Sequence, residues 1–300
     1  MSKRVLVAGV IGALAALASG CGASGVALTE SPSMVLAAAV QATTALNTYQ
    51  VHFTASETFP ITPSSLGFLG GSGATGTAGI SGTFKGDFSG TLKVVKPDSL
   101  ALDASAKLNG FSIDFSTIRI GADSYTKNLF TGAWEKDKKT TGASGADGSG
   151  VTSSSVSNLD PATFTDLLKY LTVDQTFADT DVNGAHVHHY RVKLDPDKLK
   201  AALSAKGAIP NAKTSKAFDD FVKNGKYTME VWVGTADHLV RRITLNFDAT
   251  TDSAALGGFN FGGTTPKATA TAQPVHVTAH AQLDYTDFNK PITITAPTTK

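Results

Sequence analysis

The chain has 300 residues and only one cysteine, Cys21, which excludes an intramolecular disulfide, a four-cysteine zinc site and a CxxC redox motif. Charge is also scarce, because charged residues make up 17% of the chain, against about 25% in typical soluble domains. The 26 basic and 25 acidic residues nearly cancel, so the chain lacks the basic excess with which proteins bind nucleic acids. The apolar fraction of 41% is ordinary for a chain that folds around a core.

Residues 1–20 have the pattern of a secretory signal. Lys3 and Arg4 precede an apolar run at residues 5–18, and small residues follow it. A membrane-spanning helix needs about 20 apolar residues, so this run is short for a retained anchor. Removal of the signal would take away two basic residues and no acidic one, which would leave the exported chain close to neutral.

The residues before the cysteine, LASG at 17–20, resemble the bacterial lipobox, in which small residues precede a lipidated cysteine. Leu17 stands one place earlier than the usual leucine. The resemblance implies that Cys21 carries a diacylglyceryl thioether and often an N-acyl chain, and two or more chains hold a protein stably on a membrane. The alternative is an ordinary cleaved signal followed by a free cysteine. We expect an extracytoplasmic protein that Cys21 anchors to the cell membrane.

The exported chain is expected to comprise a flexible tether at residues 21–33 and a single domain at residues 34–300. Two segments rich in Gly, Ser and Thr, residues 60–82 and 140–157, are expected to be flexible inserts in that domain. A helix is predicted over residues 34–46. Its apolar residues lie almost all round the predicted helix, which favours packing against a large apolar surface.

From Tyr49 onward, apolar and polar residues alternate, which predicts strands with one apolar and one polar face. Tyr49, Val51 and Phe53 share one face of the first strand. Asn109-Gly110, between two alternating stretches, is a strong hairpin signal. Further strands are predicted at residues 83–95, 100–108, 110–119, 124–129, 188–194, 227–233, 239–247, 270–285 and 292–294, with another ahead of the turn at 182–184. Short helices are predicted at residues 162–171, after Asp195-Pro196 and at 215–223.

About ten strands with three or four helices between them predict an α+β fold. The expected architecture is one large antiparallel sheet, which must curl because a sheet of this size cannot stay flat. Helices packed on the concave face of such a half-barrel would enclose an apolar cavity.

The order of these features resembles the LppX/LprG-type lipoproteins and, more distantly, the LolA/LolB lipoprotein carriers. The features are the lipobox, the helix leading into YQVHF at 49–53, VKPDSL at 95–100, IGADSY at 120–125 with GAW at 132–134, the helix at 160–171, NG at 183–184 leading to HYRV at 189–192, VWV at 231–233, LVRRI at 239–243, and residues 292–297. The resemblance implies a half-barrel whose cavity accepts an acylated lipid or glycolipid and carries it within or across the cell envelope. It also implies a membrane transporter as a partner. The long inserts depart from the compact pattern of this family.

No catalytic residue and no cofactor is expected. The serines at 64–65 and at 72 do not form a GxSxG elbow between a strand and a helix. An acylated Cys21 cannot act as a nucleophile.

Three histidines, His186, His188 and His189, are the candidates for a metal site. On a strand, His186 and His188 share a face and lie about 7 Å apart. No acidic residue close in sequence completes a ligand set, and Asp179 and Asp181 lie across the turn. We therefore expect no metal site here and favour a solvated or partly packed strand face.

Two glycine-rich segments carry apolar residues that a polar linker would not need. These residues are Leu66, Phe68 and Leu69 in the first segment, and Leu256, Phe259 and Phe261 in the second. Exposed apolar groups in loops commonly mark a membrane or ligand contact. We expect the two segments to flank the mouth of the cavity; the alternative is that they fold back on the sheet.

The expected function is the binding and carriage of a lipid or glycolipid by a membrane-anchored protein. The alternative is a structural or sensory envelope protein that has a filled interior and contacts a protein partner. An apolar cavity of several hundred Å³ would distinguish the first from the second.

Overall fold

A computed structural model describes residues 30–61, 82–129, 131–137, 168–195, 197–198, 201, 225–252 and 274–299. Within them, twelve strands form one antiparallel sheet. The strands are β1 (Thr48–Ile61), β2 (Gly82–Val95), β3 (Ser99–Leu108), β4 (Phe111–Ile120), β5 (Asp123–Lys127), β6 (Trp134–Lys136), β7 (Leu171–Thr176), β8 (Thr180–Val182), β9 (Ala185–Leu194), β10 (Gly225–Gly234), β11 (Val240–Asp252) and β12 (Pro274–Thr286). The predicted large antiparallel sheet is confirmed.

The strand order is β6-β5-β4-β3-β2-β1-β12-β11-β10-β9-β7, and β8 pairs with β9. Strands β1 to β6 and strands β9 to β12 are two meanders, because each strand in them pairs with its neighbour in the chain. The pairing of β1 with β12 joins the two meanders at the centre of the sheet. Strands β6 and β7 are the edges, so the described sheet is open.

The two ends of the sheet differ in how the strands are joined. Short turns join strands at one end, which we call the turn end: residues 96–98, 121–122 and 235–239. The longer connections, residues 62–81 and 253–273, leave from the opposite end, which we call the connection end. The first follows β1 and the second ends at β12, and β1 pairs with β12 at this end of the sheet.

The β3–β4 hairpin turns at the connection end, and its predicted Asn109-Gly110 turn is confirmed. Both residues have positive φ, 47° at Asn109 and 94° at Gly110, as a two-residue hairpin turn of type I′ requires. The amide of Asn109 donates to the carbonyl of Lys85 at 2.9 Å, and the amide of Lys85 donates to Asn109 Oδ1 at 2.9 Å. These bonds tie the turn to the start of β2.

The helix α1 (Pro32–Thr44) corresponds to the predicted helix at residues 34–46. Proline suits the first helical position because its missing amide hydrogen needs no partner there. At the other end, Lys96 Nζ donates to the carbonyl of Thr44 at 2.7 Å, where a cation also complements the helix dipole. Val35, Leu36, Ala39 and Val40 of α1 are buried in one cluster with apolar residues of the sheet.

Two sequence predictions are wrong. The helix predicted at residues 162–171 does not extend over its last residues, and residues 162–167 lie outside the described part of the chain. Leu168–Tyr170 form one 3-10 turn, and Leu171 begins β7 by pairing with Leu194 of β9. The spacing of three between Leu168 and Leu171 fits either a helix or a turn that leads into a strand. Both residues are buried in the turn and strand that form. No strand forms at residues 292–294; near the end of the chain only Thr299 makes an isolated parallel bridge, to Trp134 of β6, among the described residues.

Candidate functional site

The apolar face of the sheet is covered at the turn end. Toward the connection end its larger side chains are half-buried, although Ala106 and Ala249 are buried there. On β1, Tyr49 and Val51 are each 1% exposed, whereas Phe53, Ala55 and Glu57 on the same face are half-buried. Tyr49 and Glu57 are separated by about 27 Å of strand. The face therefore changes from a packed core to a partly open surface along a single strand.

The strand register extends this change across the sheet. Ala55 lies between Phe88 of β2 and Ala281 of β12, and Phe53 lies between Gly90 and Leu283. We call the half-buried residues of this region the open apolar face: Phe53, Ala55, Glu57, Phe88, Ala104, Phe115, Met229, Leu245, Phe247, Ala279, Ala281 and Leu283. Apolar side chains in this state can bury an apolar ligand at about 25 cal/mol per Å².

Glu57 is the one charged residue of the open apolar face. Its cross-strand neighbours are Gly86 of β2 and Ala279 of β12, which have little or no side chain to shield it. No hydrogen bond or ion pair joins the carboxylate to another described residue. Burial raises the pKa of Glu57, because a partly desolvated carboxylate is costly to ionise.

The opposite, polar face carries a depression of about 470 Å³ across β1, β2, β3 and β4, with His280 of β12 at its border. Its side chains are mainly hydroxyls and charged groups, including Ser56, Ser89, Ser105, Asp87 and Lys107. Such a lining suits water better than acyl chains, so an apolar ligand would favour the other face of the sheet.

An aromatic stack also lies on the polar face. The ring of His189 is stacked between Phe177, at 4.3 Å between centroids, and Trp232, at 4.2 Å. His189 Nε2 lies 3.0 Å from a carboxylate oxygen of Glu230, which also forms an ion pair with Arg191. The stack therefore connects β9 with β10 and with Phe177, the residue that follows β7.

His186 and His188 do share a face, and the structure brings the carboxylates from across the turn to them. His188 Nδ1 lies 3.0 Å from Asp179 Oδ1, and His186 Nδ1 lies 3.1 Å from Asp181 Oδ1. His186 Nε2 is 3.9 Å from the other oxygen of Asp179. Within the described ranges, no group of three or more His, Cys, Asp or Glu side chains is placed to hold a metal ion.

The site residues predicted from the sequence lie outside the described residues. They are Cys21, Leu66, Phe68, Leu69, Leu256, Phe259 and Phe261. The first apolar segment follows β1 and the second precedes β12, and these two strands are the central pair: Thr58 of β1 is paired with Thr278 of β12.

Glu57 is not among the site residues predicted from the sequence, although the alternation that places it is present there. Residues 49, 51 and 53 were assigned to the apolar face, and the same alternation of two places Ala55 and Glu57 there. A carboxylate at a position that the alternation places on the apolar face is uncommon, because a charged group loses hydration there.

No helix among the described residues is long and apolar enough to cross a membrane.

No family model matches the chain, and no curated protein matches its sequence. Among solved structures, the chain is similar to the lipoprotein LppX of Mycobacterium tuberculosis, with 15% identity, a TM-score of 0.41, and coverage of 88% of this chain and 100% of that one. It is similar to LprF of Mycobacterium bovis, with 11% identity, a TM-score of 0.40, and coverage of 88% and 96%. A LolA superfamily protein of Nitrosomonas europaea has 7% identity and a TM-score of 0.21, with coverage of 87% and 94%. LppX and the LolA superfamily, which the sequence resembles, are thus among the structural neighbours of the chain.

Proposed function

We propose that this protein is an envelope lipoprotein, anchored outside the cytoplasm by acylated Cys21, that binds an acylated lipid or glycolipid and carries it within or across the cell envelope. The ligand's acyl chains would lie on the open apolar face. The observation that supports this most directly is the change along β1, from Tyr49 and Val51 at 1% exposure to half-buried Phe53 and Ala55. No catalytic group or cofactor takes part, and a membrane transporter would be a partner.

A physical argument connects this change to an apolar ligand. Folding normally removes large apolar side chains from water, and the turn end of this sheet follows that rule. The same face continues with Phe88, Phe115 and Phe247 half-buried. A ligand that covered these rings would bury the apolar surface that folding leaves exposed to water. Its binding would need few polar contacts.

The proposal includes a cavity and its mouth. Helices over the open apolar face would convert the sheet into a half-barrel with an enclosed apolar space. The segments with Phe68 and Phe259 would flank the mouth at the connection end. Supporting this placement, the first segment leaves from β1 and the second enters β12, and these two strands are paired.

Native mass spectrometry of the full chain, expressed in a bacterium with its own leader and extracted in mild detergent, tests the proposal. We expect a complex heavier than the acylated chain by the mass of a lipid, which organic solvent should remove. If no lipid is retained from the expression host or after incubation with vesicles, the carrier function is wrong. A structural or sensory protein with a filled interior would then be favoured.

A pair of variants locates the ligand. Ala281 lies on the open apolar face of β12, whereas His280 is exposed on the opposite face. Ala281→Trp should fill the space for acyl chains and reduce the lipid-bound fraction at least several-fold. His280→Trp adds the same ring to the other face and should leave the lipid-bound fraction unchanged. Equal effects of both variants would contradict this placement of the ligand.

A further inference from the structure

The tip of the β3–β4 hairpin exposes a pair of large apolar side chains. Phe111 is 76% exposed and Ile113 is 37% exposed. They are two residues apart on β4, so they lie on the same face of the strand. Leu108, which is paired with Phe111 in register, is on that face as well. Single exposed apolar residues are common, but adjacent exposed apolar residues at the tip of a hairpin are typical of an interaction surface.

Hydrogen bonds and a tight turn attach the tip to the neighbouring strand. Asn109 and Gly110 adopt the positive φ values of a tight turn, and two hydrogen bonds of 2.9 Å hold Asn109 to Lys85. Phe111 and Ile113 are therefore held in exposed positions by the backbone. A group that is already fixed loses little conformational entropy when it binds.

Two lysines accompany the apolar tip on the other face of the hairpin. Lys85 of β2 lies beside the turn, and Lys107 of β3 is paired with Ser112. Both lysines are exposed, and neither forms an ion pair with another described residue. In the interfacial region of a bilayer, an apolar ring can contact the acyl chains while lysine ammonium groups on flexible side chains contact the lipid phosphates.

We propose that the tip of the β3–β4 hairpin docks on a lipid bilayer, with Phe111 and Ile113 inserted at the level of the upper acyl chains and Lys85 and Lys107 near the phosphates. The tip lies at the connection end, and Leu108, Phe111 and Ile113 are on the apolar face of the sheet. Docking there brings the open apolar face toward the membrane. This surface is a second contact with the membrane, separate from the anchor at Cys21.

Fluorescence quenching by brominated phosphatidylcholine tests the proposal on the full chain. Phe111→Trp places a reporter at the tip, and Ala122→Trp places one at the exposed turn between β4 and β5, at the turn end. The wild-type protein supplies the background from Trp134 and Trp232. Each protein is mixed with vesicles of phosphatidylcholine and phosphatidylglycerol, and the protein that floats with the vesicles is measured.

We expect the added fluorescence of Phe111→Trp to be quenched several-fold more than that of Ala122→Trp. Changing Lys85 and Lys107 to Glu should reduce the quenching at position 111 in these vesicles, because like charges repel the anionic lipid. Equal quenching at positions 111 and 122, or failure of the protein to float, would overturn the proposal. A dimer in solution that Phe111→Ser dissociates would also overturn it, because the tip would then bind a second copy of the chain.

A matched variant separates this inference from the proposed function. Phe111→Ser removes most of the apolar tip from a position where the side chain has few contacts, so the melting temperature should change little. The fraction of protein molecules whose tip is docked on the bilayer should fall by about tenfold. This fraction is measured as the protection of Lys107 from acetylation by a reagent in the water phase. The lipid retained in native mass spectrometry should be unchanged. Loss of that lipid with no change in Lys107 protection would overturn the docking proposal, because Phe111 would then contact the bound lipid and not the bilayer.

Discussion

The ring of Phe53 on β1 lies across Gly90 of β2 so closely that a Cβ added to Gly90 would stand 2.7 Å from Phe53 Cζ. The same Cβ would stand 2.6 Å from the backbone carbonyl oxygen of Asp103 on β3. Glycine at this position therefore allows an aromatic ring and a neighbouring backbone to approach together. Phe53 is the residue at which the covered part of β1 gives way to the open apolar face.

Gly90→Ala should destabilise the fold by about 1–3 kcal/mol, because the added methyl group has no space between Phe53 and β3. Urea denaturation of the two proteins measures this difference. Ser89→Ala, at the exposed neighbouring position on the polar face, should change the free energy of unfolding by less than about 0.5 kcal/mol. Phe53→Leu in the Gly90→Ala background should recover part of the loss, and a Gly90→Ala protein as stable as wild type would contradict the packing.

Glu57→Gln should stabilise the protein at neutral pH. Burial raises the pKa of Glu57 above its ordinary value of 4.5 in the folded state, so the folded protein binds this proton more tightly than the unfolded chain does. The resulting stability is present at acid pH and is lost as the pH rises through the raised pKa. The variant should therefore melt above wild type at pH 8, and the two melting curves should converge near pH 4.

Asp103→Asn is the matched control, since Asp103 is an exposed carboxylate on the polar face of β3. Its effect on the melting temperature should be small at both pH values. If Glu57→Gln melts below wild type at pH 8, the carboxylate has a stabilising partner and the open apolar face does not leave it uncompensated.

His189→Ala should cost about 1–3 kcal/mol, because it removes a ring stacked on both Phe177 and Trp232 and breaks a hydrogen bond to Glu230. The same substitution at His186, which is exposed on the other face of β9, should cost less than about 0.5 kcal/mol. Urea denaturation followed by tryptophan fluorescence compares the two. Similar costs at both positions would show that the stack contributes nothing beyond an ordinary strand position.

Local structure could be read from the sequence where a short-range rule decides it. Alternation identified the face shared by Tyr49 and Val51, and Asn109-Gly110 fixed one hairpin. A short helix was predicted after Asp195-Pro196, and the amide of Lys198 donates to Asp195 Oδ1 at 3.1 Å, as at the start of a helix. The bonds from Lys198 lower the pKa of Asp195. Each of these features depends on residues within a few positions of one another.

Long-range pairing could not be read in the same way. The central pair joins β1 to β12, more than two hundred residues apart, and no local pattern specifies that partner. The same limit applied to Leu171, whose strand character depends on Leu194 of β9. The open apolar face depends on this pairing, because the pairing of β12 with β1 places Ala281 beside Ala55 and Leu283 beside Phe53.

Cys21→Ser tests the anchor. If Cys21 is acylated, the wild-type chain should sediment with membranes and incorporate a clickable palmitate analogue, and Cys21→Ser should lose the label. Two or more acyl chains hold a protein stably at a membrane, so most of the variant should leave the membrane fraction or remain as an unprocessed precursor. A wild-type chain cleaved after export, with a free thiol and no acyl mass, would instead support an ordinary secretory signal.

Replacement of Phe68, Phe259 and Phe261 by Ser tests the proposed mouth of the cavity. If these rings enter the bilayer or close over the acyl chains, their loss removes about 1.5–3 kcal/mol of apolar burial for each ring that is covered during exchange. Transfer of a fluorescent phospholipid between vesicles should then slow by about tenfold or more, while the melting temperature stays nearly unchanged. Met34→Ser, at an exposed position on α1, is the control and should leave both quantities unchanged. If the triple variant exchanges lipid at the wild-type rate but melts lower, the two segments fold back on the sheet and contribute to stability instead of ligand entry.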